Sequence, residues 1–215
     1  AFCLYNEAAM NVYVLDIAPL RGREREALAL LSEERREKAL RICREDARLR
    51  SIGAGLLLRE AGIAPPFSYG EHGKPYIPGG VHFSLTHSGE LCALAVCEIS
   101  VGLDAEKIAP VRRAAARALT SEERDFMEVD PERRFAYLWT RKEAALKCTG
   151  AGLSQPMNTF SVRGDTACLD GETLSLYTVE YGDYMQLPPE EERVWKHHPF
   201  LIDFEHNYEE LNHQT

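Results

Sequence analysis

Val101-Gly102-Leu103-Asp104-Ala105-Glu106-Lys107 lies near the middle of the 215-residue chain, and what flanks it decides the fold. An extended backbone sends alternate side chains to opposite sides, so Asp104 and Glu106 project together, about 7 Å apart. Two carboxylates so placed repel unless a cation lies between them, and a hard divalent ion suits all-oxygen ligands. A solvated strand edge carries the same D-x-E pattern, so this stretch alone leaves both readings open.

Upstream, residues 11–17 (NVYVLDI) alternate and are rich in β-formers, which predicts a first strand broken by Pro19 and Gly22. Helical stretches begin at Glu24 and at Ser32, the latter an N-cap followed by Glu33 and Glu34. Leu40, Cys43, Ala47, Ile52 and Leu56 continue an apolar stripe until Gly62, Pro65 and Pro66 end it. Val81, Phe83 and Leu85 alternate with polar residues as in a half-buried strand. Residues 91–97 are apolar on both faces, as in a central one. Gly89-Glu90 turns between them.

Downstream the helices return. Thr120 and Glu123 make a capping box, and Asp130-Pro131 starts a helix that runs to about Cys148 and stops at Gly150. Phe135, Leu138, Trp139, Ala145 and Leu146 form its apolar stripe. Residues 160–162, 166–169 and 174–181 read as strands. Helices and strands on each side of the opening stretch predict an α+β fold of two halves, 1–100 and 101–215.

The chain carries a net charge of −9, and residues 171–215 hold ten acids against two bases. The first 170 residues are therefore nearly neutral, which disfavours broad nucleic-acid binding and leaves room for a local anion site. Arg35 to Arg50 holds seven bases and three acids, a pattern shared by solvated helix faces. Nothing approaches the roughly 18 consecutive apolar residues of a membrane helix. Residues 1–7 show no basic segment followed by an apolar run, so no secretory signal is expected. Six cysteines without a C-x-x-C pair argue against a zinc site or disulfide framework and fit a cytoplasmic protein.

Three further stretches offer chemistry. Trp139, Glu143 and Lys147 share one helix face at i, i+4, i+8, with Lys142 beside them; Glu143 and Lys147 also suit an ordinary surface ion pair. Phe83-Ser84-Leu85-Thr86-His87-Ser88-Gly89 ends a strand in hydroxyls and an imidazole that can hold an anion. Gly73-Lys74-Pro75 adds a cation in a proline-stiffened turn. No nucleophile elbow, zinc-protease helix, phosphate loop or dinucleotide fingerprint occurs.

Taken in order, GKP (73–75), FSLTHSG (83–89), GLDAEK (102–107) and WTRKEAALK (139–147), with the basic stretch 32–51, resemble the 4′-phosphopantetheinyl transferases of the larger, surfactin-synthetase-activating type. The resemblance covers residues 32–162. It implies a pseudo-dimer of two similar α+β halves with the active site in the cleft between them. It also implies transfer of the 4′-phosphopantetheine arm of coenzyme A to a serine of an acyl or peptidyl carrier protein.

On that resemblance, Asp104, Glu106 and Glu143 would hold Mg²⁺ (or Mn²⁺), Glu143 would be the base, and Lys147 would balance charge on the leaving phosphate. Arg35, Lys38 and His87 would meet the 3′-phosphate of coenzyme A, with Ser51, Lys74, Thr86 and Ser88 lining the nucleotide site. Asp104, Lys142 and Lys147 would be further coenzyme A contacts, and Leu146, Leu153 and Met157 contacts for the carrier. A monomer is expected, since a pseudo-dimer needs no second subunit. Residues 186–195 depart from the family pattern and read as a solvated linker, after which 197–204 would pack back; His197 and His198 read as exposed loop residues. Two alternatives stand beside this one: a non-catalytic relative that binds coenzyme A or carriers, and an unrelated Mg²⁺-dependent nucleotide enzyme.

Overall fold

The computed structural model describes residues 2–4, 10–111, 115–178, 180–181 and 184–185. Strands β1 (Phe2–Leu4) and β2 (Met10–Asp16) precede helices α1 (Glu24–Ala29), α2 (Glu33–Leu40) and α3 (Glu45–Glu60). β3 (Ser68–Tyr69) pairs with β4 (Pro75–Tyr76), and β5 (His82–Ser88) with β6 (Leu91–Cys97). β7 (Val101–Leu103) leads to α4 (Ser121–Phe126), α5 (Pro131–Thr149), β8 (Thr166–Leu169) and β9 (Glu172–Tyr177). A last pair, β10 (Glu180–Tyr181) and β11 (Tyr184–Met185), follows.

The result is a mixed α/β fold of small antiparallel sheets and helices, in agreement with the expected class. β6 is the middle strand of the order β2-β6-β5 and is buried at every residue but Val96. Cys92 and Leu94 face α1–α3 in a core with Leu15, Leu49, Ile52, Leu57 and Phe83. Ala93, Ala95 and Cys97 face the other way, against Val101 and Leu103. A second sheet has the order β7-β1-β9-β8, so β1 pairs with strands of the second half although it opens the first. The division at 100/101 is therefore crossed by the chain's first strand.

Local chemistry explains the helix ends. The Ser32 hydroxyl accepts the Arg35 amide, and Thr120 and Glu123 form the expected reciprocal capping box. Pro131 occupies the first turn of α5, and Gly150 ends it at φ +77°, a conformation glycine adopts without strain.

Three expectations need correction. The helical stripe is not continuous through residues 40–47: α2 ends at Leu40, which is 60 % exposed, and Cys43 is exposed. The Arg48 guanidinium takes the carbonyls of Ile42 (3.0 Å) and Cys43 (3.3 Å), satisfying the backbone at the break. Residues 160–162 form no strand, because side chains take their backbone groups. The Phe160 carbonyl accepts from Lys142 Nζ at 2.6 Å, and the Val162 amide donates to Glu123 Oε1 at 3.0 Å. The strand expected over 174–181 begins at Glu172 and ends at Tyr177. The readings of residues 186–195 and 197–204 fall outside the described residues. Among the described residues no helix is long and apolar enough to cross a membrane.

Candidate active site

The period of two along β5 divides the site. Phe83 and Leu85 pack with the α1–α3 core, so His87 points to that side as well. Ser84, Thr86 and Ser88 point to the other side, where residues 103–107 cross. The Leu103 amide donates to Ser84 Oγ (3.0 Å), the Ala105 amide to Thr86 Oγ1 (3.2 Å) and the Lys107 amide to Ser88 Oγ (3.2 Å). Thr86 Oγ1 donates to Asp104 Oδ1 at 3.0 Å, and Ser88 Oγ to Glu106 Oε2 at 3.2 Å. The two carboxylates thus share one side, as their spacing predicts. The strand itself stops at Leu103, opposite Phe2 of β1, and beyond it β5 hydroxyls take the Ala105 and Lys107 amides.

α5 completes the group from the second half. Gly102 lets it approach: a Cβ there would collide with the Ala144 carbonyl and the Cys148 amide, and would lie 2.9 Å from Cys148 Cα. At this separation Lys147 Nζ lies 2.6 Å from Asp104 Oδ1 and 3.4 Å from Thr86 Oγ1. Glu143 is half-buried one turn earlier on the same helix face. Burial first, and then the Asp104 and Glu106 charges, hold its carboxyl above the usual range despite Lys147. Glu106 is raised by burial and by Asp104, against the opposing effects of Ser88 and Lys147. Mutually repelling, partly desolvated carboxylates are a donor set suited to a hard divalent cation. Among the described residues, no three His, Cys, Asp or Glu side chains are arranged to hold a metal as they stand.

Asp104, Glu106 and Lys147 line a cleft of about 460 Å³, whereas Glu143 and Ser88 are not part of its lining. Thr86, Arg35, Lys38, Ser51 and His87 line it together with them. Arg35 donates to the Ser51 carbonyl at 3.0 Å, its Nε is buried without a hydrogen-bond partner, and burial lowers its pKa. Removal of water around the His87 ring is the main cause holding its pKa below the ordinary value, with the Arg50 and Lys147 charges adding to it. Arg50 is a basic lining residue that the sequence reading did not single out; it donates to the Gly89 carbonyl at 3.2 Å. Its only signal was membership of the seven-base run, which does not say which bases face inward until the helix break is known.

Other expected residues lie elsewhere. Lys142 does not reach the cleft: its side chain is 0 % exposed and pairs with Glu123 at 2.8 Å. It also donates to the carbonyls of Met157 (2.7 Å) and Phe160 (2.6 Å), so its charge is consumed inside the second half. One residue along a helix is a turn of 100°, which separates Lys142 from the face of Glu143. Lys74 Nζ donates to the Val101 (3.1 Å) and Cys148 (3.0 Å) carbonyls and borders an adjoining cavity of about 230 Å³ rather than the cleft. Leu146 (1 % exposed) and Met157 (7 %) belong to the second-half core and offer no surface to a carrier. The Leu153 side chain lies outside the described residues.

Bases, carboxylates and a lysine lining one cleft can hold a polyphosphate together with a cation. Comparisons agree with this chemistry. Residues 100–179 match a family model described as the 4′-phosphopantetheinyl transferase superfamily. The chain is 35 % identical over 157 residues to a 4′-phosphopantetheinyl transferase of Bacillus subtilis, covering 66 % of this chain and 70 % of that protein. It is 33 % identical over 162 residues to the 4′-phosphopantetheinyl transferase Sfp of Bacillus subtilis strain 168, covering 67 % and 72 %.

Proposed function

The chain belongs to the 4′-phosphopantetheinyl transferase superfamily, and from that membership we propose that it moves the phosphopantetheine arm of coenzyme A onto a serine of an acyl or peptidyl carrier protein. The observation that supports the reading is that Arg35, Lys38 and His87 line the same cleft as Asp104, Glu106 and Lys147. Coenzyme A has a terminal 3′-phosphate at one end of its nucleotide and a pyrophosphate at the other, and the two sets of residues complement these two charges. Arg35, Lys38, Arg50 and His87 hold the 3′-phosphate, with Ser51 beside it.

Asp104, Glu106 and Glu143 are the residues that would hold Mg²⁺ or Mn²⁺, which when bound neutralises pyrophosphate oxygens. The serine oxygen attacks the phosphorus bearing the pantetheine arm, the bond from that phosphorus to the bridging oxygen breaks, and 3′,5′-ADP leaves. Glu143 takes the hydroxyl proton, and its raised pKa makes it a stronger base than an ordinary carboxylate. Lys147, drawn in by Asp104, meets the charge that grows on the departing phosphate. We read residues 1–100 and 101–215 as the two halves of a monomeric pseudo-dimer acting in the cytoplasm, with β1 exchanged into the second half. Leu153, after α5, is retained as a contact for the carrier.

Glu143→Gln tests the assignment. It should bind coenzyme A within about threefold of the parent by calorimetry yet transfer the arm at least ~10²-fold more slowly, the span of lost general-base catalysis. Near-parental turnover would remove Glu143 from the role. Coenzyme A binding without transfer by the unmutated chain would favour the non-catalytic relative instead.

A further inference from the structure

Among the described residues, β5 and β7 lie at the ends of different sheets, and neither is the other's ladder partner. They are joined by side chains. Three hydroxyls at alternate positions of β5 accept three alternate amides of the crossing segment, Leu103, Ala105 and Lys107. Both backbones advance by about 7 Å per two residues, so one matched pair brings the next into register. The β6 residues opposite the first two are small, Ala95 across from Ser84 and Ala93 across from Thr86, while Leu91 stands across from Ser88. Ser84 and Thr86 are buried, and a buried amide demands a partner.

We propose that Ser84, Thr86 and Ser88 are positioning residues: a hydroxyl zipper that fixes the register of residues 103–107 across the two halves and so aims Asp104 and Glu106 into the cleft. A one-residue slip would turn both carboxylates away, because side chains alternate. Thr86 and Ser88 each accept an amide and donate to the carboxylate beside it, and Thr86 also accepts from Lys147. Their task is therefore to orient the carboxylates. This inference rests on the reading of Asp104 and Glu106 as the cation-holding pair.

The test compares Thr86→Val and Ser88→Ala with the hydroxyl-keeping Thr86→Ser and Ser88→Thr. In the cation-free protein, amide hydrogen exchange should quicken at least tenfold at Ala105 in Thr86→Val and at Lys107 in Ser88→Ala, and return toward parental values in the hydroxyl-keeping pair. Calorimetric Mn²⁺ titration should show affinity weakened several-fold by the first pair and restored by the second. Unchanged exchange at both amides would overturn the zipper. Unchanged Mn²⁺ affinity in the first pair would overturn it too. Ser88 is only half-buried, so its variants keep the test alive if Thr86→Val fails to fold. The exchange pattern needs no transferase activity, so a wrong function would show as absent transfer over an intact zipper.

Discussion

His87 connects proton and ligand. Its pKa is lowered chiefly by loss of water around the ring, which favours the neutral imidazole in the free protein. Against a phosphate dianion the cationic ring is favoured, so binding coenzyme A should take up a proton, and affinity should fall as pH rises through neutrality. Calorimetry in buffers of different ionisation enthalpy should register an uptake that His87→Ala abolishes, together with a KM for coenzyme A raised roughly tenfold or more. An uptake that survives the substitution would place the proton elsewhere. Lys142 shows the opposite use of a cation. Its pKa is lowered by burial, against the pull of Glu123, and the pair ties α5 to α4 and to the 157–160 turn. Lys142→Met alone should cost about 3–5 kcal/mol by leaving a buried carboxylate unmatched. Lys142→Met with Glu123→Gln should recover much of that loss in chemical denaturation; equal losses in the single and double variants would contradict the pairing.

At the scale of elements, the close contact of α5 with β7 decides whether Glu143 and Lys147 come near Asp104. Gly102→Ala places a methyl against backbone atoms of Ala144 and Cys148, which no side-chain rotation relieves. The variant should melt at lower temperature and lose about 10²-fold or more in transfer, since a displacement near 1 Å is enough for that. Melting and turnover equal to the parent would show that the contact is not needed.

Elements were legible where one periodicity settled them. The doubly apolar strand 91–97 and the helix from Pro131 to Gly150 appear as read, and so does the common side of Asp104 and Glu106, which follows from period two alone. But Asp130 makes no side-chain cap, and in the strand over 82–88 the polar Ser84 and Thr86 are buried while Val81 is exposed. Illegible were features made by distant side chains. The break after Leu40 is stabilised by Arg48, and the absent strand at 160–162 reflects Lys142 and Glu123 taking its backbone groups. Glu123 read only as a capping residue, because nothing local reveals what its second carboxylate oxygen meets. Lys142 was grouped with Glu143 by adjacency, although helical rotation places adjacent residues on different faces.

Across the whole molecule, charge is sorted rather than balanced. The chain is acidic at −9, yet its cleft brings Arg35, Lys38, Arg50 and His87 together with buried or half-buried carboxylates. Different elements contribute different parts: cations from α2 and α3, and carboxylates with a lysine from the 103–107 segment and α5. β5 stands between them. The most direct test of this account is intact-protein mass spectrometry of an apo carrier incubated with the chain, coenzyme A and Mg²⁺, beside an EDTA control. The account predicts that the carrier gains one phosphopantetheine, and that EDTA prevents the gain. Acyl and peptidyl carriers that all stay unmodified, although the chain binds coenzyme A, would contradict it.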